Sequence, residues 1–172
     1  MRGIWVIAGI LSAAAAHAAT YHLPPAETHC AVDGHSFPVH IAATVAERAQ
    51  GFGEAPPALI EHAAILFVYP PQGAPITDST FSFGGGANHP PSASVGWYFN
   101  MRQMLAPLDI AFMNDAGRVI AVLHMVPGQK LYRPKSPYAA ALEIAAGRAA
   151  QLGLKRGAHL VCGRNASREN AH

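Results

Sequence analysis

Ten histidines and five methionines in 172 residues are the first chemical signal in this sequence. Thioether sulfur and imidazole together suit a cuprous ion. Met101-x-x-Met104 and the pair His124-Met125 make Met101, Met104 and His124 the candidate ligands. There is no H-E-x-x-H and no C-x-x-C, the spacings that mark a metal site most strongly. Adjacent strand residues such as His124 and Met125 also point to opposite faces, and the methionines fit apolar strand positions. Copper handling is therefore the alternative reading, and a protein without a cofactor the first.

The second candidate chemistry is polar recognition. Asn100, Arg102 and Gln103 precede the kink Leu105-Ala106-Pro107, Asp109 follows it, and Lys130, Tyr132, Arg133 and Lys135 form a basic, aromatic segment. A guanidinium binds carboxylates through paired N–H donors, and an aromatic ring offers a stacking face. Asn100, Arg102, Gln103, Asp109, Tyr132 and Arg133 are thus the predicted binding residues, for a small polar or anionic ligand or an envelope partner.

Catalysis is the third possibility. No G-x-S-x-G elbow is present, and no catalytic residue is predicted. Asp109 and Glu143 are the carboxylates best placed for acid–base work. A carboxylate in an apolar strand must be hydrogen-bonded or paired, or its pKa rises. The expectation is that Asp109 caps the turn after Pro107, and that Glu143 pairs with an arginine, with Arg102, Arg118 and Arg148 available. The triple glycine Gly84-Gly85-Gly86 has neither the flanking elements nor the Lys-Ser/Thr pair of a phosphate loop.

The elements that must position these residues begin after a leader. Arg2, the apolar Ile4 to Leu11 and Ala16-His17-Ala18 read as a signal peptide over 1–18, cleaved near Ala18. The expected location is periplasmic or secreted, with no integral membrane segment after cleavage. Without Arg2 the formal charge is +1, which argues against a nucleic-acid partner. Two basic and eight acidic residues lie in 19–115, against nine and two in 116–172; a mixed surface is the expectation for interleaved halves. Cys30 and Cys162 make an even pair for an oxidising compartment, and a disulfide is predicted. Two free thiols, or a metal site of Cys162 with His159, are the alternatives.

Residues 19–36 read as a lead-in segment, and Phe37, Val39, Ile41 and Ala43 alternate as a half-buried strand. Thr44-Val45-Ala46-Glu47 is a capping box opening a short helix that stops at Gly51. Ala64 to Tyr69 is a buried strand, and 70–96 a long Pro/Gly-rich loop. Strands follow at Trp97 to Met101, Leu108 to Asn114 and Arg118 to Met125, the last two joined by the turn Asp115-Ala116-Gly117. Because both faces of 118–125 are apolar, that hairpin is predicted to sit at the centre of the sheet. A Pro-rich connection spans 126–138, a strand 140–145, a short helix 147–152 and a last strand 158–162. Residues 163–172 are predicted to be a disordered tail, with a sequon at Asn165.

Five of these blocks, in order, resemble exported proteins of the domain-of-unknown-function 192 family. They are Ala46-Glu47-Arg48-Ala49-Gln50-Gly51, Ala64 to Tyr69, Met101 with Pro107-Leu108-Asp109-Ile110-Ala111-Phe112 and the Asp115 to Arg118 turn, Leu142 to Gly147, and Gly153 to Gly157. The resemblance covers roughly 37–162. It implies one α+β domain, mainly antiparallel β, sandwich-like or barrel-like, with two short helices. Family members usually read Trp-Met-Lys-Asn-Thr before Pro-Leu-Asp, where this chain has Asn100, Met101, Arg102, Gln103 and Met104. The resemblance brings no established general activity with it, and the expected function is that of a noncatalytic exported accessory domain that binds a small ligand or an envelope partner. An enzyme with an unrecognised site ranks third, behind copper handling.

Overall fold

A computed structural model describes residues 20–25, 27–69, 82–83 and 95–163. The leader, its cleavage site, most of the 70–96 segment and residues 164–172 with the Asn165 sequon lie outside the described residues.

The chain forms one mainly antiparallel α+β domain. Strands β1 (Glu27–Val32) and β2 (His35–Ala42) form a hairpin. Its turn is Asp33-Gly34, both at positive φ, the conformation that two-residue hairpin turns require. This corrects the expected lead-in: residues 27–32 are a strand, and the Asp-Gly pair was its signal. In β2, Phe37, Val39 and Ile41 are buried while Ser36 and Pro38 are exposed, as period-two alternation demands.

Helices α1 (Val45–Gln50) and α2 (Pro57–Ile60) then carry the chain to β3 (Ala64–Val68), which pairs parallel to β2. The predicted capping box is present. Thr44 Oγ1 accepts from the Glu47 amide at 3.2 Å, and Glu47 Oε2 accepts from the Thr44 amide at 2.8 Å.

The remaining strands are β4 (Ser82–Phe83), β5 (Phe99–Met101), β6 (Leu108–Met113), β7 (Val119–Met125), β8 (Gly128–Tyr132), β9 (Ala140–Ala145) and β10 (Val161–Gly163). Eight strands make one curled sheet in the order β4-β10-β1-β2-β3-β9-β6-β7, and β5 pairs with β8 in a second, small sheet. Helix α3 (Arg148–Gln151) lies between β9 and β10.

The β6–β7 hairpin forms as predicted but at the sheet's edge, not its centre. Ile120 to Leu123 are half-buried, so apolar residues on both faces reflect partial cover from each side and not a central position. At its start, β7 reaches the residues leading into β10: the Val119 amide donates to the Ala158 carbonyl at 2.9 Å, and the Leu160 amide to the Gly117 carbonyl at 2.9 Å. These bonds curl the sheet toward closure. The region predicted as a bare connection, 126–138, contains β8, and Gly163 belongs to β10 and not to a tail.

Two apolar cores follow from the alternation of β3, β9 and β6. Leu66, Leu142 and Ala111 join Phe37, Val39, Phe83 and Leu160 on one face, where strands from both ends of the order meet, so this is the concave side. Ile65, Phe67, Ile110 and Phe112 face the other way, beneath Phe52, Ile60, Met101, Tyr132 and Tyr138. The predicted disulfide is present: Cys30 and Cys162 are directly paired positions of β1 and β10 and are bonded to each other.

Candidate functional site

The strand β9 is covered on both faces, and one of its buried positions is a carboxylate. Glu143 sits directly opposite Ile65 on β3 and Ile110 on β6, and is 1% exposed. The Phe52 amide donates to its carboxyl, but Oε2 has no hydrogen-bond partner among the described residues. Among the described residues no arginine pairs with it, contrary to expectation. The Arg148 guanidinium donates to the His62 and Ala63 carbonyls at 3.0 and 3.1 Å, and that of Arg118 to the Gly157 carbonyl at 3.3 Å. Burial, opposed only in part by the Phe52 amide, pushes the Glu143 pKa up to about 8. At neutral pH it is mostly the uncharged acid.

The end of α1 brings a cavity to this carboxyl. Gly51 ends the helix at φ 47°, and a Cβ there would stand 3.2 Å from Glu143 Oε2 and 3.1 Å from Phe67 Cζ. Glycine is the residue that allows both the conformation and the close approach. The Tyr21 hydroxyl closes over it, donating to the Gly51 carbonyl at 2.6 Å. Burial and the nearby Glu143 push the Tyr21 pKa up to about 12.

The cavity has a volume of about 190 Å³, with Glu143 in its lining. Its walls are aromatic: Phe67, Tyr69, Trp97, Tyr98 and Phe99. Phe67 and Phe99 meet edge-to-face at 5.0 Å, and Tyr69 stands edge-on to Tyr138 at 5.7 Å, geometries that aromatic quadrupoles favour. The Tyr69 and Tyr138 hydroxyls lie 3.2 Å apart, and Tyr138 also donates to the Trp97 carbonyl at 3.2 Å. Burial raises the pKa of both tyrosines, so both stay neutral. Arg48 is the cation of the lining. Its Nη1 donates to the Ala43 carbonyl and, at 3.0 Å, to the Val68 carbonyl, and its guanidinium lies 5.1 Å from the centre of the Tyr69 ring.

Of the residues predicted to bind, Asn100 lines this cavity, its Oδ1 accepting from the Arg102 amide at 3.3 Å. Arg133 stacks at 4.5 Å on Tyr98, which also lines it. Arg102 and Gln103 are exposed and stand outside the lining; Gln103 reaches Glu54 at 3.5 Å. Tyr132 is buried in the core under the second sheet, where its hydroxyl accepts from the Val126 amide at 3.1 Å.

Asp109 is elsewhere. Ile110 is the position opposite Glu143, so Asp109, one residue away, points to the other face of the sheet. There it accepts from the Gly147 and Ala149 amides at 2.7 and 3.3 Å, anchoring the start of α3, and holds His124 Nδ1 at 3.1 Å. It does not cap the turn after Pro107, and the two carboxylates cannot act on one substrate.

Of the candidate copper ligands, Met101 and Met104 belong to one apolar cluster and His124 lies away from both. Met101 is buried in the core, Met104 lines the cavity, and His124 is tied to Asp109 beside a shallow groove with Lys155. Among the described residues no group of three or more His, Cys, Asp or Glu side chains could hold a metal ion, and no helix is long and apolar enough to cross a membrane.

The binding prediction passed over Arg48, Glu143 and the aromatic walls. The available signal was a lone carboxylate inside the apolar run Ala139 to Ala146, in a strand covered on both faces.

Comparison with known proteins agrees with the fold. A crystal structure from Sinorhizobium meliloti 1021, of a protein described as a "putative transcription regulator", superposes with a TM-score of 0.60 at 20% identity, over 81% of this chain and 96% of its own. A protein of unknown function from Novosphingobium aromaticivorans DSM 12444 superposes with a TM-score of 0.57 at 24% identity, over 83% and 93%. At these identities the likeness establishes the shared fold alone. No curated protein matches the chain. Residues 90–162, which hold β5 to β9 and Glu143, match the model of DUF192, the family described as Uncharacterized ACR.

Proposed function

We propose that this is a noncatalytic binding domain whose small-molecule ligand occupies the cavity at Glu143. One observation carries the reading: a fully buried carboxyl with an unsatisfied oxygen lines an aromatic-walled cavity. Buried polar atoms are nearly always hydrogen-bonded, and leaving one unmet costs about 1–3 kcal/mol. A ligand hydrogen bond to Oε2 would remove that cost. An engineered cavity of about 150 Å³ holds a benzene molecule, so the roughly 190 Å³ found here suits a single-ring compound. The noncatalytic character rests on the separation of Asp109 from Glu143 across the sheet. Export to the periplasm or medium is part of the proposal, supported by the Cys30–Cys162 disulfide. Asn100 and Arg133 are proposed to flank the ligand, as a cavity-lining residue and through the Tyr98 stack respectively.

The test is amide and indole NMR of the protein titrated with benzoate, benzyl alcohol and benzylamine at millimolar concentration. Shifts should gather on Gly51, Phe67 and the Trp97 indole for at least one probe. Ala49→Trp, which fills the cavity from α1, should abolish them while leaving the rest of the spectrum folded. Shifts scattered over the surface, or unaffected by Ala49→Trp, would remove the cavity as the site.

A further inference from the structure

The lining of the cavity also selects a ligand class. Resting on the reading above, we propose that the ligand is a carboxylate, held between the Arg48 guanidinium and the carboxylic acid group of Glu143, with its apolar body against Phe67, Tyr69 and Phe99.

Arg48 is a permanent cation, and both of its carbonyl bonds leave from Nη1, so its Nε and Nη2 donors remain for a ligand. The two groups lie within electrostatic reach of one side chain: Glu143 raises and Arg48 lowers the pKa of the Tyr69 hydroxyl. The groups packed around Glu143 add no further charge. Tyr21 covers it from the N-terminal segment, Tyr69 stands at the end of β3, Ile65 and Ile110 flank it, and Phe52 meets it through its amide. From β5 and the residues beside it come Trp97, Phe99, Asn100 and Met104, all uncharged.

The fixed charge of the lining is therefore that of Arg48, while the floor offers an O–H donor. An O–H bonded to a carboxylate makes one of the strong, charge-assisted hydrogen bonds. A ligand ammonium meets the reverse situation. The ring face of Tyr69 that would attract it is already occupied by a guanidinium at 5.1 Å, and the like charge opposes entry. At the rim Trp97 and Tyr98 are exposed, and Arg133, stacked on Tyr98, adds a second cation there, a sign that favours an entering carboxylate over an ammonium.

Proton linkage gives the proposal a signature. Binding keeps the proton on Glu143, so affinity is full below the free-state pKa and falls as pH rises through about 8, roughly tenfold by pH 9. An ammonium ligand would do the opposite, displacing the proton and gaining affinity with rising pH.

Calorimetric titration of the full chain with benzoate, benzyl alcohol and benzylamine, at pH 6.5 and pH 9, decides between them. Benzoate should bind at pH 6.5, at least tenfold more tightly than the other two, and weaken about tenfold at pH 9. Glu143→Gln, whose amide keeps a neutral donor, should retain benzoate binding within a few-fold and lose the pH dependence. Arg48→Met should weaken benzoate at least tenfold with the NMR spectrum still folded. Benzylamine binding with proton release, or benzyl alcohol binding as well as benzoate, would overturn the carboxylate class while leaving the cavity as a site. Failure of all three probes to shift the cavity residues would overturn the site itself.

Discussion

Replacing Glu143 by glutamine isolates the energetic consequence of burying an ionisable group without a countercharge. In the unfolded chain the carboxyl titrates near 4.5; in the fold its pKa is about 8. Between those two values the folded protein holds a proton that the unfolded chain has released. Stability contributed by this group is therefore fully present below about pH 4.5, falls as pH rises through the interval, and levels off above about 8. At 1.36 kcal/mol per pH unit, the interval corresponds to a loss on the order of 5 kcal/mol, of which roughly 3 kcal/mol has accrued by pH 7. Glutamine has nearly the same shape and cannot ionise, so the variant lacks this descent.

The assay is urea unfolding of wild type and Glu143→Gln, disulfide intact, from pH 5 to pH 8.5. The two stabilities should run close together at pH 5 and diverge by several kcal/mol at pH 8.5, in favour of the variant. Glu47 titrates in both proteins and cancels; burial raises its pKa less than the hydrogen bonds from Thr44 and Ala43 lower it. Parallel curves across the whole range would refute the reasoning, because they would mean that Glu143 is solvated or paired in the folded protein.

Other outcomes follow from single contacts. Reduction of Cys30–Cys162, or Cys162→Ser, removes a link across 132 residues of chain and should lower stability by up to ~5 kcal/mol, read as a fall in Tm with and without reductant. Thr44→Ala deletes the capping-box acceptor of α1 and should cost about 1 kcal/mol in urea unfolding. Asp109→Ala leaves the Gly147 and Ala149 amides and His124 without their acceptor and should cost about 2 kcal/mol or more, with faster hydrogen exchange confined to the start of α3. Gly51→Ala forces a Cβ to within 3.2 Å of Glu143 Oε2 at positive φ, and should both destabilise the protein and weaken any benzoate binding.

Local physics was legible in the chain before any coordinates. The Thr44 to Glu47 capping box, the alternation through Phe37, Val39 and Ile41, and the Asp115 to Gly117 hairpin depend on residues a few positions apart, and all formed where their chemistry placed them. The pairing of two cysteines followed from their number and expected compartment. The strand 27–32 and its Asp33-Gly34 turn were equally local and were missed by reading polar residues as a lead-in.

What tertiary structure alone decided is which side chains share a space. Sheet order placed β7 at an edge although its residues are apolar on both sides, because a strand's position depends on its hydrogen-bonding partners. The pleat sent Asp109 and Glu143, both carboxylates in apolar strands, to opposite faces, because register and not composition assigns faces. Two of the arginines expected beside Glu143, Arg118 and Arg148, donate to backbone carbonyls instead, and among the described residues the cation lining its cavity comes from α1, nearly a hundred residues earlier in the chain. A cavity of this kind is invisible to spacing. Its acid, its guanidinium and its aromatic walls come from separate segments, and the parallel crossover from β2 through α1 to β3 is what sets them against β9.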